Sequence, residues 1–208
     1  TIYLCLAHMS EEGYEQKYVK EAFDTNWVVP MGPNVYTFEQ NLADFSNANL
    51  DGSKLDRKVV CLSAGTAAVH LALIACGVQL GDEVCVQSFT FCASSHPITY
   101  LGAKPVFIDS EKETWNMDPE LLEKAIIDRK EKTGKYPKAI IPVALYGMPY
   151  DCERIMVIAD KYGIPVIEDA AEGMGSRYNG QVLGTFGRFG VLSFNGNLWW
   201  WCVDLPKR

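Results

Sequence analysis

Several features are scarce in this 208-residue sequence, and each scarcity narrows the class of protein. No apolar run approaches the ~18 residues of a membrane-spanning helix, and no secretory leader is recognisable, so a cytoplasmic location is expected. The three histidines, His8, His70 and His96, are scattered, and no metal motif is expected from them. Lys and Arg number 19 against 26 Asp and Glu, and the resulting charge of -7 argues against nucleic acid or an anionic membrane as the main partner.

The seven cysteines include no Cys-x-x-Cys pair, so neither a zinc site nor a dithiol motif is indicated. Most of them lie in apolar runs such as Val-Val-Cys-Leu, and their number is odd. This pattern favours small buried side chains in a reducing compartment over a disulfide framework. The cysteines are Cys5, Cys61, Cys76, Cys85, Cys92, Cys152 and Cys202.

Apolar residues make up 48% of the sequence and charged residues 22%, which is enough for one sizeable core. From residue 59 to residue 168, short apolar runs alternate with helical patterns, and this alternation indicates βαβ crossovers. The sequence therefore predicts an α/β fold, with a mostly parallel sheet and helices on both faces. The predicted strands are Val59–Leu62, Glu83–Val86, Pro105–Asp109, Ala139–Val143 and Val166–Ile167, and residues 1–6 could form an edge strand. Helices are expected after Ser10, from Phe91 to Gly102, and after Asp118 and Asp151, with Asp118 as the N-cap of its helix and Asp151 at the start of the last one.

The first predicted strand is followed by a turn of small residues, Ser63 to Ala67, which opens a helix. Unpaired amides at a helix start form a cradle for phosphate, and Thr66 adds a hydroxyl donor. A plain turn capped by Thr66 or Ser63 is the alternative, and spacing alone favours it.

The strand Val166–Ile167 ends in two carboxylates, Glu168 and Asp169. Open α/β sheets bind ligands at the carboxyl ends of their strands, which makes Asp169 a candidate site residue. Asp169 could equally cap a following helix. An Asn179-Gly180 turn and a second apolar strand containing Ser193 come next.

Phe89 and Phe91 follow the end of the second predicted strand. A flat ligand ring needs a flat apolar face, and an aromatic side chain at this edge could provide one. Both rings could instead be core, and at least one of them is expected to be.

Three phrases occur in the order LSAGTAAVHLAL, VIEDAAE and GTFGRFGVLSFNGN. Together they resemble the signatures of the DegT/DnrJ/EryC1/StrS sugar aminotransferases, which use pyridoxal phosphate. The resemblance implies the large domain of the fold type I, aspartate-aminotransferase-like architecture. It places that domain and an N-terminal arm in residues 1–197, leaves residues 198–208 as an aberrant tail, and implies that the C-terminal small domain is absent.

The resemblance also implies a role for each matching residue. The cofactor phosphate would be anchored by the Gly65–Ala67 turn and Ser193, the ring would stack on Phe91, and Asp169 would pair with the pyridine nitrogen. Glu172 falls where the family has a polar side chain near the phenolic oxygen, although it could be an exposed acid at a helix start. The implied cofactor-binding residues are Gly65, Thr66, Ala67, Phe91, Asp169, Glu172, Ser193 and Asn195.

One position departs from the family pattern. The lysine that holds the cofactor as a Schiff base should follow Asn197, and here that residue is Leu198. Leucine has no amine, so no catalytic residue is expected and any cofactor should bind non-covalently. Family members with histidine at this position are sugar dehydratases, and leucine supports neither chemistry.

The implied parent activity is amino transfer from glutamate to a nucleotide-linked 4-keto-6-deoxy sugar, in a homodimer. The N-terminal arm would lie near the dimer interface, or would be only a packed surface loop. The alternative function is a non-catalytic protein that binds the cofactor or a nucleotide sugar, or that pairs with an intact relative. A nucleotide-dependent dehydrogenase is disfavoured, because no Gly-x-Gly-x-x-Gly follows the first strand.

The tail Leu198–Cys202 predicts a shifted reading frame. Codons for Thr-Ser-Gly-Gly-Gly-Ala, such as ACC TCT GGT GGT GGT GCN, give Leu-Trp-Trp-Trp-Cys when read one base early. We expect the gene's DNA to contain a Gly-rich reading in another frame. Sequencing the gene tests this, and the absence of such a reading would leave a divergent C-terminus or a cloning artefact.

Overall fold

The computed structural model describes residues 10–194 and the backbone of residues 200–206. Six α-helices are present in this part of the chain: α1 Tyr14–Asp24, α2 Pro33–Asn47, α3 Gly65–Ala75, α4 His96–Tyr100, α5 Pro119–Thr133 and α6 Cys152–Tyr162. The strands are β1 Arg57–Leu62, β2 Glu83–Gln87, β3 Lys104–Ile108, β4 Ala139–Ile141, β5 Ile167–Asp169, β6 Arg177–Tyr178, β7 Gln181–Val182, β8 Phe189–Phe194 and β9 Trp200–Pro206.

Seven of these strands follow one another in the order β3-β2-β4-β5-β8-β9-β1. β2 pairs in parallel with β3 and β4, and β5 pairs in parallel with β8. Parallel bridges from Ile140 to Val166 and from Val143 to Asp169 join β4 to β5. The predicted α/β class and mostly parallel sheet are confirmed.

Among these seven strands, β9 in the tryptophan-rich tail is the one that runs antiparallel to its neighbours. The backbone of β9 pairs with β8 on one side and β1 on the other, antiparallel to both. β1 and β8 therefore run in the same direction, and the helix that follows β1 begins at the edge where β8 ends. The division at Asn197 and the origin of the tail remain predictions.

Helices cover both faces of the sheet because its strands alternate their side chains. On β2, Val84 and Val86 pack into a core layer with α3 and α4, whereas Cys85 packs into the opposite layer with α5 and α6. Burial on both faces explains why these strands are apolar runs rather than alternating ones.

Local sequence signals set several element ends as predicted. Asp118 caps α5 by accepting the amides of Glu120 and Leu121, and Asp151 caps α6 by accepting that of Arg154. Asn179 and Gly180 both have positive φ, 48° and 86°, in the two-residue turn between β6 and β7.

Other expectations need correction. The helix expected from Phe91 to Gly102 is interrupted: a 3₁₀ turn at Cys92–Ser94 precedes the short α4. Pro97 explains the break, because its missing amide and its ring confine it to the first turn of a helix. Helix α1 forms as expected, yet none of its residues is buried. The predicted strand at residues 1–6 lies outside the described residues.

The cysteines are only partly as expected. Cys76, Cys85 and Cys152 are buried free thiols, Cys61 is half-buried, and Cys92 is exposed. Burial raises the pKa of Cys76 to about 11 and that of Cys85 to about 12, so both stay protonated and inert.

A pair of buried amide side chains holds the loops at the carboxyl edge of the sheet. Gln87 Nε2 donates to Asn116 Oδ1 at 3.2 Å and to the Phe89 carbonyl at 2.9 Å. Asn116 accepts the Leu145 amide at 3.1 Å and donates to the Met148 carbonyl at 2.9 Å. These bonds tie together the loops that follow β2, β3 and β4.

We expect Asn116→Asp to destabilise the protein although it changes no volume. Aspartate cannot donate a hydrogen bond to the Met148 carbonyl. It also places a carboxylate in a buried position where the amide group of Asn116 had hydrogen-bond partners. The loss should be about 2 kcal/mol or more, which lowers the melting temperature by roughly 4–8 °C at this chain length. Thermal melts followed by circular dichroism measure it.

Asn34→Asp is the matched control, because Asn34 is exposed in the first turn of α2, where a negative charge is tolerated. Equal melting temperatures for the two variants would contradict the role assigned to the Gln87–Asn116 pair.

Candidate functional site

Asp169 ends β5 in a buried position, with 6% of its surface exposed. Ser94 Oγ donates to Asp169 Oδ2 at 2.5 Å, and the Ala171 amide donates to Oδ1 at 3.2 Å. A turn, closed by a bond from the Gly173 amide to the Ala170 carbonyl, follows the strand. Because no helix starts there, the interpretation of Asp169 as a helix cap is wrong.

The surroundings of Asp169 suit a cationic partner. Burial raises the pKa of this carboxyl group, and the hydrogen bond from Ser94 partly opposes the rise. Removing a carboxylate from water is costly unless an opposite charge or further donors compensate it. A positively charged group placed beside Asp169 would therefore stabilise its ionised form.

The neighbouring carboxylate, Glu168, faces the other side of the sheet and holds a turn. Its oxygens accept the amides of Gly184 at 3.1 Å, Phe186 at 2.6 Å and Gly187 at 2.5 Å. Successive strand residues point to opposite faces, so Glu168 supports this turn while Asp169 faces the layer of α3.

The start of α3 presents amides without acceptors. Ala64 precedes the helix in an extended conformation, and no side chain caps it. The first helical bond runs from the Ala68 amide to the Ala64 carbonyl at 2.9 Å, so the amides of Gly65, Thr66 and Ala67 have no acceptor within the helix. The plain turn capped by Thr66 or Ser63 is thus not what the structure has.

Ser193 lies on the sheet face that α3 covers. Val191 is paired with Asp169 across β5 and β8 and packs in the core layer of α3. Ser193 follows two residues later, so it shares that face and lies closer to the carboxyl end. Its hydroxyl is buried and has no hydrogen-bond partner among the described residues, which is unusual and fits a group that a ligand completes.

Neither phenylalanine after β2 is core, and the expectation that one would be is wrong. Phe89 is 48% exposed and packs edge-on against Trp115, with ring centroids 6.1 Å apart. Phe91 is 76% exposed and directly precedes the 3₁₀ turn that contains Ser94. Both lie beyond the end of the buried strand, and Phe91 comes three residues before Ser94, which binds Asp169.

Glu172 is half-buried, and no helix starts there, so the alternative of a helix-start acid is wrong. Its Oε2 accepts the backbone amide of Tyr146 at 2.5 Å, which ties the turn after β5 to the loop after β4. Asn195 and Leu198 lie outside the described residues.

Sequence reasoning missed two members of this site, Ser94 and Tyr146. Ser94 is one of several serines after β2, and only its bond to Asp169 distinguishes it. For Tyr146 the only local signal was the glycine that follows it, because glycine commonly marks a turn, and the bond to Glu172 required the fold.

Gly65, Thr66, Ala67, Asp169 and Ser193 thus share one edge and one face of the sheet, with Phe91 and Glu172 on loops at the same edge. Across residues 10–194, no group of three His, Cys, Asp or Glu side chains could hold a metal ion. In the same part of the chain, no helix is long and apolar enough to cross a membrane.

Comparison with known proteins gives a consistent result. The model of the DegT/DnrJ/EryC1/StrS aminotransferase family matches residues 9–198. EpsN of Bacillus subtilis, which carries the provisional name of a pyridoxal phosphate-dependent aminotransferase, is 50% identical over 94% of this chain and 48% of its own length. GDP-perosamine synthase of Escherichia coli O157:H7 is 38% identical over 94% of this chain and 50% of its own.

Among solved structures, the PMP form of Spr1654 from Streptococcus pneumoniae, provisionally named a sugar aminotransferase, superimposes with a TM-score of 0.83. It is 28% identical, and the match covers 100% of this chain and 53% of that one. The chain spans about half the length of the relatives it matches.

We expect Ser193→Ala to weaken phosphate binding without destabilising the protein. A buried hydroxyl with no partner contributes nothing to the fold, so its removal should leave the melting temperature unchanged or raise it by about 2–4 °C, the equivalent of 1 kcal/mol. Thermal melts with and without inorganic phosphate measure both effects.

Ser46→Ala is the matched control, since Ser46 on α2 is another buried serine whose hydroxyl lacks a partner in the described residues. It should tolerate the change equally and keep the stabilisation by phosphate. Phosphate stabilisation that is undiminished in Ser193→Ala would remove Ser193 from the anion site.

Proposed function

Since the chain belongs to the DegT/DnrJ/EryC1/StrS aminotransferase family, we propose that it binds pyridoxal phosphate non-covalently and derives from a sugar aminotransferase. The observation that carries this proposal is the meeting of three groups at one edge and one face of the sheet. They are the buried carboxylate of Asp169, the uncapped start of α3 and the unpartnered hydroxyl of Ser193.

The phosphate would be held by neutral donors. The amides of Gly65, Thr66 and Ala67, the Thr66 hydroxyl and the Ser193 hydroxyl can each donate to it, and the start of α3 adds a positive partial charge. A chain of net charge -7 needs such a local arrangement, because its overall field does not attract anions.

The ring would lie against Phe91, with its nitrogen at Asp169. A bound pyridoxal phosphate supplies an electron-accepting ring, which works best when the pyridine nitrogen is protonated. The carboxylate of Asp169 would hold that proton at the nitrogen, while the bond from Ser94 fixes the carboxylate's orientation. Glu172 and Asn195 complete the proposed set.

Leu198 would prevent turnover. A leucine cannot attach the aldehyde or move a proton, and the only lysine after Asn197 is Lys207. We therefore infer that this chain is inactive or nearly so, and that any bound cofactor stays free of a covalent link.

The parent activity would be transfer of an amino group, with glutamate as donor, to a nucleotide-linked 4-keto-6-deoxy sugar for surface glycans. Two similar proteins support a sugar-nucleotide substrate by their names. One is GDP-perosamine synthase, and the other is the UDP-2-acetamido-2-deoxy-3-oxo-D-glucuronate aminotransferase of Pseudomonas aeruginosa, which is 44% identical over 73% of this chain and 38% of its own length.

A homodimer is part of the proposal. Helix α1 buries none of its residues, and Tyr18, Phe23 and Val28 in the N-terminal arm are half or more exposed. An apolar surface of this kind is typical of a protein–protein interface. It agrees with an arm near a dimer interface better than with a packed surface loop.

A second candidate is a non-catalytic protein that binds the cofactor or a nucleotide sugar, or that pairs with an intact relative. Leu198 favours it, because the proposed binding groups are present while the reactive amine is missing. Both candidates share the binding site and differ in whether any turnover is retained.

We expect the chain to bind pyridoxal phosphate saturably and without a lysine adduct after borohydride treatment. Asp169→Asn should weaken binding about 10–100-fold, since a hydrogen bond to a charged group contributes about 1.5–3 kcal/mol. Absorbance titration of the cofactor and mass spectrometry of the reduced protein are the measurements.

The same titration should depend on pH. Burial raises the pKa of Asp169, so binding should weaken as the pH falls through that raised pKa and the carboxylate is lost. In Asp169→Asn this dependence should disappear. Asp109→Asn is the control, because Asp109 also follows a parallel strand, β3, but is exposed. Absence of binding would overturn the proposed function, and a trapped lysine adduct would overturn the inactivity.

A further inference from the structure

Tyr146 has an uncommon backbone conformation. Its φ of 52° and ψ of 27° lie in the left-handed region, which bulky residues rarely adopt. Gly147 follows with a φ of 79°. Such conformations persist only where the surroundings enforce them, and they are concentrated at functional sites.

The side chains of Asn116 and Glu172 hold Tyr146 in this conformation. The Leu145 amide donates to Asn116 Oδ1 at 3.1 Å, and the Met148 carbonyl accepts Asn116 Nδ2 at 2.9 Å, so Asn116 holds both flanks of the turn. Between them, Glu172 Oε2 accepts the amide of Tyr146 itself at 2.5 Å. The turn is therefore fixed from the loop after β3 and from the turn after β5.

The ring of Tyr146 contributes little to the packing of the described residues. Tyr146 is 71% exposed, although its backbone is fixed on both sides. Its position is close to Asp169: the Ala144 amide donates to the Asp169 carbonyl at 3.0 Å, and Val143 forms a bridge with Asp169. An exposed aromatic ring on a fixed backbone thus lies at the edge of the sheet that carries the proposed cofactor site.

The negative charges near Tyr146 restrict the class of ligand that its ring can contact. Burial is the main cause of the raised pKa of Asp169, and the charge of Glu172 adds to it, so the two carboxylates are near one another. A diphosphate placed here would be repelled by both acids. An uncharged, ring-shaped group with apolar C–H faces and hydroxyls suits a tyrosine, which offers an aromatic face and a phenolic hydroxyl.

We propose that Tyr146 contacts the pyranose ring of the sugar substrate at the mouth of the site, and that Glu172 is a positioning residue that acts through the Tyr146 backbone. The inference rests on the proposed function and extends it to the sugar. It gives Glu172 a task in addition to the contact with the cofactor's phenolic oxygen that the family resemblance implies.

Nitration of tyrosines by tetranitromethane, read by peptide mass spectrometry, tests the contact. With pyridoxal phosphate alone, Tyr146 should be nitrated at the same rate as in the free protein. Adding GDP-mannose or UDP-N-acetylglucosamine at about ten times its dissociation constant should slow that rate roughly tenfold, because about 90% of the sites are then filled. Tyr100 on α4, which is 58% exposed, is the internal control and should not change.

Several results would overturn the contact. If Tyr146 is nitrated equally with and without either nucleotide sugar while the cofactor still binds, the contact is wrong and the proposed function stands. If Tyr146 is protected before any ligand is added, a second copy of the chain covers it instead. If the cofactor does not bind at all, both proposals fail together.

Variants at Glu172 separate positioning from cofactor contact. Glu172→Gln retains an oxygen that can accept the Tyr146 amide, so protection by the nucleotide sugar should survive, whereas Glu172→Ala should abolish it. The two variants are compared at saturating pyridoxal phosphate, because Glu172 also belongs to the proposed cofactor-binding set. Sugar protection that stays intact in Glu172→Ala would overturn the positioning role. Melting temperatures confirm that each variant is folded.

Discussion

The parallel alignment of β4, β5 and β8 is the constraint on which the candidate site depends. It brings the carboxyl ends of these strands to one edge, and β1, which runs in the same direction, delivers the start of α3 to that edge. Because successive residues of a strand point to opposite faces, the adjacent acids Glu168 and Asp169 lie on different faces of the sheet. Glu168 faces the 184–187 turn and stabilises the fold, whereas Asp169 and Ser193 face the layer of α3.

Buried polar side chains keep this edge ordered. Gln87, Asn116 and Glu168 each make several hydrogen bonds to loop backbone, and none of them carries a proposed ligand contact. An edge that is held in this way can present groups that lack a hydrogen-bond partner among the described residues, such as the hydroxyl of Ser193, and exposed rings such as that of Tyr146. Rigidity of this kind lowers the entropic cost of binding a ligand.

Local sequence signals were reliable where the interaction itself is local. The caps at Asp118 and Asp151 and the Asn179-Gly180 turn formed as predicted, because each involves neighbours along the chain. The core position expected for one of the two phenylalanines failed for the opposite reason. Burial of Phe89 or Phe91 depends on which element packs over that edge, and both rings stay exposed in the part of the chain that the structure describes.

The sequence by itself determined the α/β class, the alternation of strands and helices, and the family, because periodicity and ordered motifs are properties of the chain. It also carries the prediction, by resemblance, that Leu198 stands where the family has its lysine. Only the tertiary structure decided that Ser94 binds Asp169, that Glu172 holds Tyr146, and that residues 200–206 pair between β1 and β8. These contacts join residues far apart in sequence, and no local pattern encodes which distant partner the folded sheet brings within hydrogen-bonding reach.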